Sequence, residues 1–130
     1  MEKEQYKNII GIDNFWKYFP DKPWFYFHDI LEFKYYKEFD YEEWRDRWYL
    51  DLKMTDTEGK DIVVFKLIDV YGEGTFLLCG YISGLNIVNL RHTATWLEHQ
   101  YELLDFEDSG IHFYCNDIEV SVLMVNGKEV

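Results

Sequence analysis

The chain has 130 residues, of which 48% are hydrophobic and 20% aromatic, so it can fill one core and is too apolar to be disordered. Its formal net charge of −12 argues against a nucleic acid as a direct ligand, because phosphate binding needs clustered Lys and Arg. The same charge argues against binding to an anionic membrane surface.

The first residues predict a lead-in segment and a short helix. Residues 1–12 are polar and then apolar, and Asp13 or Asn14 is placed to cap a helix that ends near Tyr18. The sequence shows no secretory signal and no apolar run of the roughly 20 residues that a membrane span requires. We therefore expect a cytoplasmic protein.

Strand signals occupy most of the remaining chain, separated by turn residues at spacings typical of hairpins. The clearest is the alternation of Trp48, Leu50, Leu52 and Met54 with polar neighbours, which indicates a half-buried strand. The predicted strands span residues 30–37, 48–54, 62–70, 75–82, 85–90, 101–106, 111–115 and 118–125.

This pattern predicts a mainly β fold, a β-rich α+β domain whose antiparallel sheet is curled or packed as a sandwich. We expect seven or eight strands and one or two short helices. Residues 38–46 are compatible with a helical turn or a wide loop, and residues 91–100 with a loop or a turn of helix. We interpret residues 1–130 as one domain, with the lead-in over 1–12 and the core over 13–125.

Charge is distributed unevenly along the chain. Residues 67–130 hold ten acidic and two basic side chains, whereas residues 1–66 hold 15 acidic and 11 basic ones. A field of one sign favours a basic partner, whose encounter it would steer, although solubility alone accounts for it equally well. The candidate partner contacts are the carboxylates of this half and two neighbouring rings: Glu98, Glu102, Asp105, Glu107, Asp108, Asp117, Glu119, Trp96 and Tyr101.

Aromatic side chains give a second reason to expect a binding surface. Five tryptophans are more than one small core is expected to hold, so some should reach the surface. Partly exposed Trp and Tyr are enriched at the energetic centres of protein interfaces, and they also form platforms for sugar stacking. For any single ring, packing in or around the core remains the simpler interpretation.

His28 and Asp29 form the sharpest local feature, since a histidine beside a carboxylate suits a general base or a metal ligand. Adjacent residues on a strand point to opposite faces, so we expect that the two side chains do not share a site. We therefore assign a structural role to the motif Trp24, Phe27, His28 and Asp29. In it, Asp29 accepts backbone N–H groups and His28 fills a buried polar position.

No other pattern indicates chemistry. His92, His99 and His112 lack partners at zinc-ligand spacing, and Cys79 and Cys115 are expected to be free buried thiols. The serines lack a GxSxG elbow, the GEG segment precedes no predicted helix, and the paired carboxylates are interpreted as a solvated face. We predict no catalytic residue, no metal site, no cofactor and no enzymatic activity.

Three segments carry a family resemblance: FHDI at residues 27–30 after an aromatic, Pro-containing stretch, GLNI at 84–87, and YELLDFEDSGIHF at 101–113. They resemble a group of immunity proteins of bacterial polymorphic toxin systems, most nearly the immunity family catalogued as number fifty. The resemblance spans about residues 15–125. The chain departs from the family's Trp-Pro-Ser-Phe-His-Asp run, since it has Tyr26-Phe27-His28-Asp29 after Pro23-Trp24.

The resemblance implies a stoichiometric inhibitor that is encoded beside a secreted toxin, occludes the active site of that toxin and does no chemistry itself. This is our leading hypothesis, with a basic protein as the partner. The second is a phage- or plasmid-encoded inhibitor of a nucleic-acid enzyme, whose acidity imitates phosphate. The third is a small hydrolytic or carbohydrate-binding domain, which predicts a concave pocket with convergent polar groups.

Overall fold

The computed structural model describes residues 3–71, 74–76, 82–93, 100–105 and 110–130, without the side chains of residues 92 and 93. Two α-helices, α1 (Ile12–Tyr18) and α2 (Leu90–Thr93), and two 3-10 turns, Lys3–Tyr6 and Trp24–Tyr26, lie in these residues. The strands are β1 (Asp29–Asp40), β2 (Arg45–Thr55), β3 (Ile62–Val70), β4 (Thr75–Phe76), β5 (Leu85–Asn89), β6 (Tyr101–Asp105), β7 (Ile111–Val125) and β8 (Lys128–Glu129).

All eight described strands belong to one antiparallel sheet. Its order is β1-β2-β3-β7-β6-β5, and both β4 and β8 pair with β7. The sheet does not close on itself, so within the described residues β1 and β5 lie at its two edges. The predicted mainly β class, strand number and antiparallel pairing are confirmed. No helix in the described part of the chain is long and apolar enough to cross a membrane.

The stretch at residues 38–46, which the sequence left open, is the end of a long β-hairpin. β1 continues to Asp40 and β2 begins at Arg45, so the connection is a turn over residues 41–44. The Asp40 carboxylate stabilises this turn by accepting the backbone N–H groups of Glu42 at 2.9 Å and Glu43 at 3.2 Å. Trp44 completes it with a positive φ of 57°.

The prediction of two strands at 111–115 and 118–125 is wrong, because the structure has one continuous strand, β7, over Ile111–Val125. Asn116 and Asp117 do not break the strand. Instead, the buried side of β7 changes there, from the odd positions up to Cys115 to the even positions from Ile118. Asp69 lies across the ladder at this point with a φ of 61°. A polar pair therefore marks a change of face within one strand.

The core lies between the sheet and the N-terminal segment. Phe15 on α1 contacts Trp24 at 4.7 Å and Phe27 at 5.9 Å between ring centroids, and both of the latter rings pack on Phe65 of β3. Trp24 and Phe27 are buried, which fits the structural role assigned to them. Cys115 is buried and free as predicted, whereas Cys79 lies outside the described residues.

The lead-in docks on β7 through backbone hydrogen bonds. The Ile10 N–H donates to the Ile118 carbonyl at 2.9 Å, and the Val120 N–H donates to the Ile10 carbonyl at 2.8 Å. Gly11 precedes α1 with a φ of 84°, and neither predicted cap residue, Asp13 nor Asn14, occupies the N-cap position. The helix starts two to three residues earlier than predicted, because the left-handed Gly11 turns the chain directly after Ile10 has paired with β7.

Candidate partner-binding surface

Nine residues of the C-terminal half were predicted to contact a partner, and the structure describes five of them. Trp96, Glu98, Glu107 and Asp108 lie outside the described residues. Tyr101 is 1% exposed and Asp105 is 4% exposed, and the Asp105 carboxylate accepts the backbone N–H of Ser83 at 3.1 Å. The structure therefore corrects two of the nine assignments, because the side chains of Tyr101 and Asp105 belong to the interior.

The other three carboxylates are half-buried on the sheet. Glu102 of β6 bonds through its Oε2 to the Nε2 of His112 on β7. Glu119 stands directly opposite Lys66 in the β3–β7 ladder, and Asp117 stands opposite Ile68. Two of these three acidic side chains therefore face a residue of this chain that can carry a positive charge. Their role as partner contacts remains a prediction.

The exposed aromatic side chains lie elsewhere in the sequence. Among the described residues, the rings with large exposed surfaces all fall between residues 25 and 48: Phe25, Tyr26, Tyr35, Phe39, Tyr41, Trp44 and Trp48. The last five belong to the β1–β2 hairpin, and we call them the hairpin patch. Tyr41 and Trp44 in the turn are 77% and 75% exposed. The ring-rich surface is therefore in the N-terminal half of the chain.

Contacts among the rings order the hairpin patch. Tyr35 and Trp48 stack with their ring planes at 14° and their centroids 4.8 Å apart. Phe39 contacts Tyr41 at 4.9 Å and Trp44 at 5.3 Å, in both cases edge to face. Offset-stacked and edge-to-face geometries are the favoured ones for aromatic pairs, so the rings hold one another in place while remaining exposed.

Hairpin length explains why these rings are exposed. Tyr35 is paired with Leu50, so it lies on the sheet face that buries Leu50 and Leu52. Trp48 lies on that face too, as its alternation predicted, but it is 38% exposed. It is exposed because β1 and β2 extend beyond the part of the face that the core covers.

Ion pairs connect the hairpin to the rest of the sheet. The Arg45 guanidinium donates to both carboxylate oxygens of Asp69, at 3.0 and 2.7 Å. The Asn116 side-chain amide on β7 donates to the same carboxylate at 2.6 Å. The hydrogen bond from Arg45, aided by that from Asn116, holds the pKa of the Asp69 carboxyl below its usual value. This network fixes the base of the turn on β3 and β7.

The same network borders a cavity of about 510 Å³ at the base of the hairpin. It is lined by charged, amide and aromatic groups: Arg45, Asp46, Trp48, Asp69, Val70, Tyr71 and Asn116. The Tyr71 hydroxyl donates to the side-chain oxygen of Asn116 at 3.1 Å, which continues the network along its wall. The cavity therefore adjoins the hairpin patch through Trp48.

His28 and Asp29 share a site, contrary to the expectation from strand alternation. His28 precedes β1, so the alternation does not apply to it, and its Nδ1 lies 3.0 Å from Asp29 Oδ1. The Nε2 atom lies 2.9 Å from the Thr57 hydroxyl in the β2–β3 turn. A carboxylate, an imidazole and a hydroxyl in this order are also the parts of an activated nucleophile.

The hydrogen bonds around these three residues favour a structural role, in which His28 holds neighbouring segments together. The His28 N–H donates to the Thr55 carbonyl at 3.2 Å, and the Ile82 N–H donates to the His28 carbonyl at 2.8 Å. His28 therefore joins the start of β1 to the β2–β3 turn and to residue 82. The cavities of about 440, 510 and 350 Å³ formed by described residues are lined by other side chains. The structural role predicted for His28 and Asp29 remains our interpretation.

Comparison of the chain with protein-family models, curated proteins and solved structures gives no match. Within the described residues, no group of three His, Cys, Asp or Glu side chains is placed to hold a metal ion. Fold and surface define a class in structural terms: an open antiparallel sheet with an exposed, ring-rich hairpin at one edge. The family resemblance remains a prediction.

Proposed function

We propose that this protein binds and neutralises a basic bacterial toxin domain by covering its active site, without chemistry of its own. The observation that carries the proposal is the hairpin patch, in which five large rings are exposed, two of them stacked on each other and the other three in edge-to-face contact. Contiguous exposed apolar surface rimmed by polar groups is typical of protein interaction sites, and Trp and Tyr are enriched at their centres.

Charge around the hairpin patch supports a basic partner. Residues 38–47 contain five carboxylates and two arginines. Both arginines are engaged by the chain's own carboxylates, Arg45 by Glu43 and Asp69, and Arg47 by Asp40 and Glu43. Residues 38–47 therefore carry a net charge of −3 next to the rings, and Lys37, which lies over Trp48, is itself paired with Asp46. An apolar centre with an acidic rim complements an apolar surface with a basic rim, which is favoured in a toxin whose substrate is anionic.

The immunity role itself comes from the resemblance, and a coexpression experiment tests it. The toxin domain encoded directly upstream of the gene would be induced in bacteria with and without this protein. We expect growth to stop with the toxin alone and to continue when both are present. Growth arrest in both strains, with both proteins detected in soluble form, would contradict the proposed function.

Calorimetric titration of the purified toxin domain tests the mechanism of neutralisation. We expect a one-to-one complex with nanomolar affinity that weakens as salt is raised from about 0.05 to 0.3 M, because added ions screen charges at the rim. An affinity that does not change with salt would contradict the charge complementarity. The triple variant Tyr35→Ala, Phe39→Ala, Trp48→Ala should bind more weakly, whereas Tyr26→Ala, an exposed ring outside the hairpin, is the matched control.

A further inference from the structure

Trp44 has a backbone conformation that its side chain disfavours. Its φ of 57° lies in the left-handed region, where the Cβ atom of an L-residue crowds the following carbonyl group. Gly, Asn or Asp is the usual residue in such a turn, and a bulky residue there is a genuine outlier. The choice of tryptophan therefore needs a reason other than the formation of the turn.

Packing does not supply that reason. The Trp44 side chain is 75% exposed, and its ring neighbours Phe39 and Tyr41 are themselves exposed. The turn is closed by other groups, since the Asp40 carboxylate binds two of its backbone N–H groups. The indole therefore contributes little to the core, although its position is disfavoured by the backbone. An outlier of this kind points to function.

The turn is also held rigidly next to this ring. Arg45 is bonded to Asp69 on β3, and Arg47 lies 2.8 Å from Asp40 and 2.9 Å from Glu43. Ion pairs of the residues on both sides of Trp44 in the sequence thus hold the backbone of the turn in place before any partner arrives. A contact residue that is already ordered loses less entropy on binding, which is how a small exposed surface gains affinity.

We propose that Trp44 is the anchor residue of the interface, inserted into an apolar pocket on the partner whose rim carries Lys or Arg side chains. The inference rests on the proposed function and names its point of contact. Charge complementarity identifies the occupant, because the exposed residues Glu42, Glu43 and Asp46 lie within two positions of Trp44 and residues 38–47 carry a net charge of −3. Tyr41 and Phe39 flank it and exclude water from the contact.

Trp44→Gly separates this role from a structural one. Glycine removes the ring and also relieves the positive φ, so we expect a urea midpoint equal to or higher than that of the wild type. We expect the affinity for the upstream-encoded toxin domain to fall by about 30-fold or more, as for an interface hot spot. Tyr26→Ala, the control ring, should leave the affinity within about threefold.

Glu42→Lys tests the basic rim of the partner. We expect it to weaken binding by about threefold to tenfold and to reduce the salt dependence. Its matched control is Glu58→Lys, the same charge reversal in the exposed β2–β3 turn at the other end of β2, which should leave the affinity unchanged.

Each alternative outcome has a separate meaning. If the wild type neutralises the toxin and Trp44→Gly does so with equal affinity, the anchor assignment fails while the proposed function stands. If the wild type does not protect cells, the proposed function fails. If sedimentation shows a wild-type dimer that Trp44→Gly converts to a monomer, the occupant is a second copy of this chain and the basic partner is overturned.

Discussion

Asp69 is a buried carboxylate with a left-handed backbone, placed where β3 meets the change of face in β7. Two donors compensate for its burial, the Arg45 guanidinium with two hydrogen bonds and the Asn116 amide with one. Buried charges persist in proteins when they are paired and hydrogen-bonded in this way. Aspartate also tolerates a positive φ better than most side chains.

Replacing Asp69 with Asn keeps the shape and the permitted φ but removes the charge that Arg45 binds. We expect Asp69→Asn to lower the free energy of unfolding by about 1–3 kcal/mol at pH 7. The Asp69 pKa is lowered in the folded state, so its stabilisation is complete above the unfolded-state pKa of about 4 and is lost as the pH falls through the folded-state pKa.

The difference in stability between wild type and Asp69→Asn should therefore shrink between pH 5 and pH 2, measured by urea unfolding across this range. Asp21→Asn, an exposed carboxylate after α1, is the control and should change stability little at any pH. A difference that stays constant over the range would show that Asp69 acts through shape alone.

His28 is the second residue whose proposed role is structural and depends on its hydrogen bonds. If Nδ1–H donates to the Asp29 carboxylate, Nε2 is left to accept the Thr57 hydroxyl proton, so one ring holds two segments together. We expect His28→Ala and Thr57→Ala each to lower the free energy of unfolding by about 1 kcal/mol. The double variant should lose less than the sum, because the two residues share one interaction.

Urea unfolding of the two single variants and the double variant measures this coupling, and toxin binding should be unaffected. A hydrolytic site would give the opposite result: His28→Ala would fold with wild-type stability and lose an activity on a small-molecule substrate. Additive losses would show that the His28–Thr57 contact contributes nothing to stability.

At the scale of elements, the docking of the lead-in on β7 decides where α1 lies. Gly11 has a φ of 84°, and a Cβ atom on it would lie 2.3 Å from the Val120 carbonyl oxygen. Gly59, in the β2–β3 turn, has a similar φ of 71° with nothing within 4 Å of such an atom. The two glycines thus share a backbone conformation and differ in the space around them.

We expect Gly59→Ala to lower the free energy of unfolding by about 1–2 kcal/mol, the cost of the left-handed conformation alone. Gly11→Ala should cost about 3 kcal/mol or more, because β7 or the lead-in must also move. Urea unfolding followed by tryptophan fluorescence compares the two directly. Equal losses would mean that the lead-in is free to shift away from Val120.

The β1–β2 hairpin shows how element length creates a surface. Its two strands have 12 and 11 residues, so they extend past the helix-covered core and carry Tyr35 and Trp48 out with them. The turn at the end adds Tyr41 and Trp44. A hairpin that ended where the core ends would bury or lack all four rings, so the patch depends on the extra length.

At the scale of the whole molecule, one core contains side chains of the N-terminal segment and of strands β2, β3, β5, β6 and β7. Cys115 lies inside this core. Burial raises the pKa of the Cys115 thiol, with smaller contributions from Asp117 and Asp69. The thiolate is the reactive form, so a buried thiol with a raised pKa reacts slowly. Cys115 is therefore a probe of how often the whole core opens.

In a Cys79→Ser background, we expect a thiol reagent to label Cys115 only through unfolding, at a rate that rises with urea as the unfolded fraction rises. Ser121→Cys in a variant lacking both native cysteines is the control, since it places an exposed thiol on the same strand and should react at once. Rapid labelling of Cys115 in native buffer would show that this part of β7 opens locally.

The larger share of the acidic excess and the exposed rings lie in different halves of the sequence. Residues 67–130 hold ten acidic and two basic side chains, whereas the exposed rings of the described chain lie between residues 25 and 48. The long-range field of the acidic half is suited to steering a basic partner, and the hairpin patch is suited to short-range contact. The two features act at different distances and need not share a face.

Several elements were predictable because their signals are local. Alternation over Leu50, Leu52 and Met54 located β2, and the apolar run from Ile62 located β3. The exposure of some Trp and Tyr side chains was predicted correctly, but Tyr101, one of the rings chosen as a partner contact, is buried. Alternation shows which side a residue faces, and it does not show how far the core extends along that side.

The sequence by itself determined the mainly β class, the antiparallel hairpins and the acidic surface, because strand periodicity, turn residues and charge act over a few neighbouring positions. Only the tertiary structure decided that one long β7 replaces two strands and that His28 meets Asp29 and Thr57. It also decided that the exposed rings gather on the β1–β2 hairpin. Each of these depends on contacts between residues far apart in the chain, where pairing and coverage by the core decide which side chains are buried.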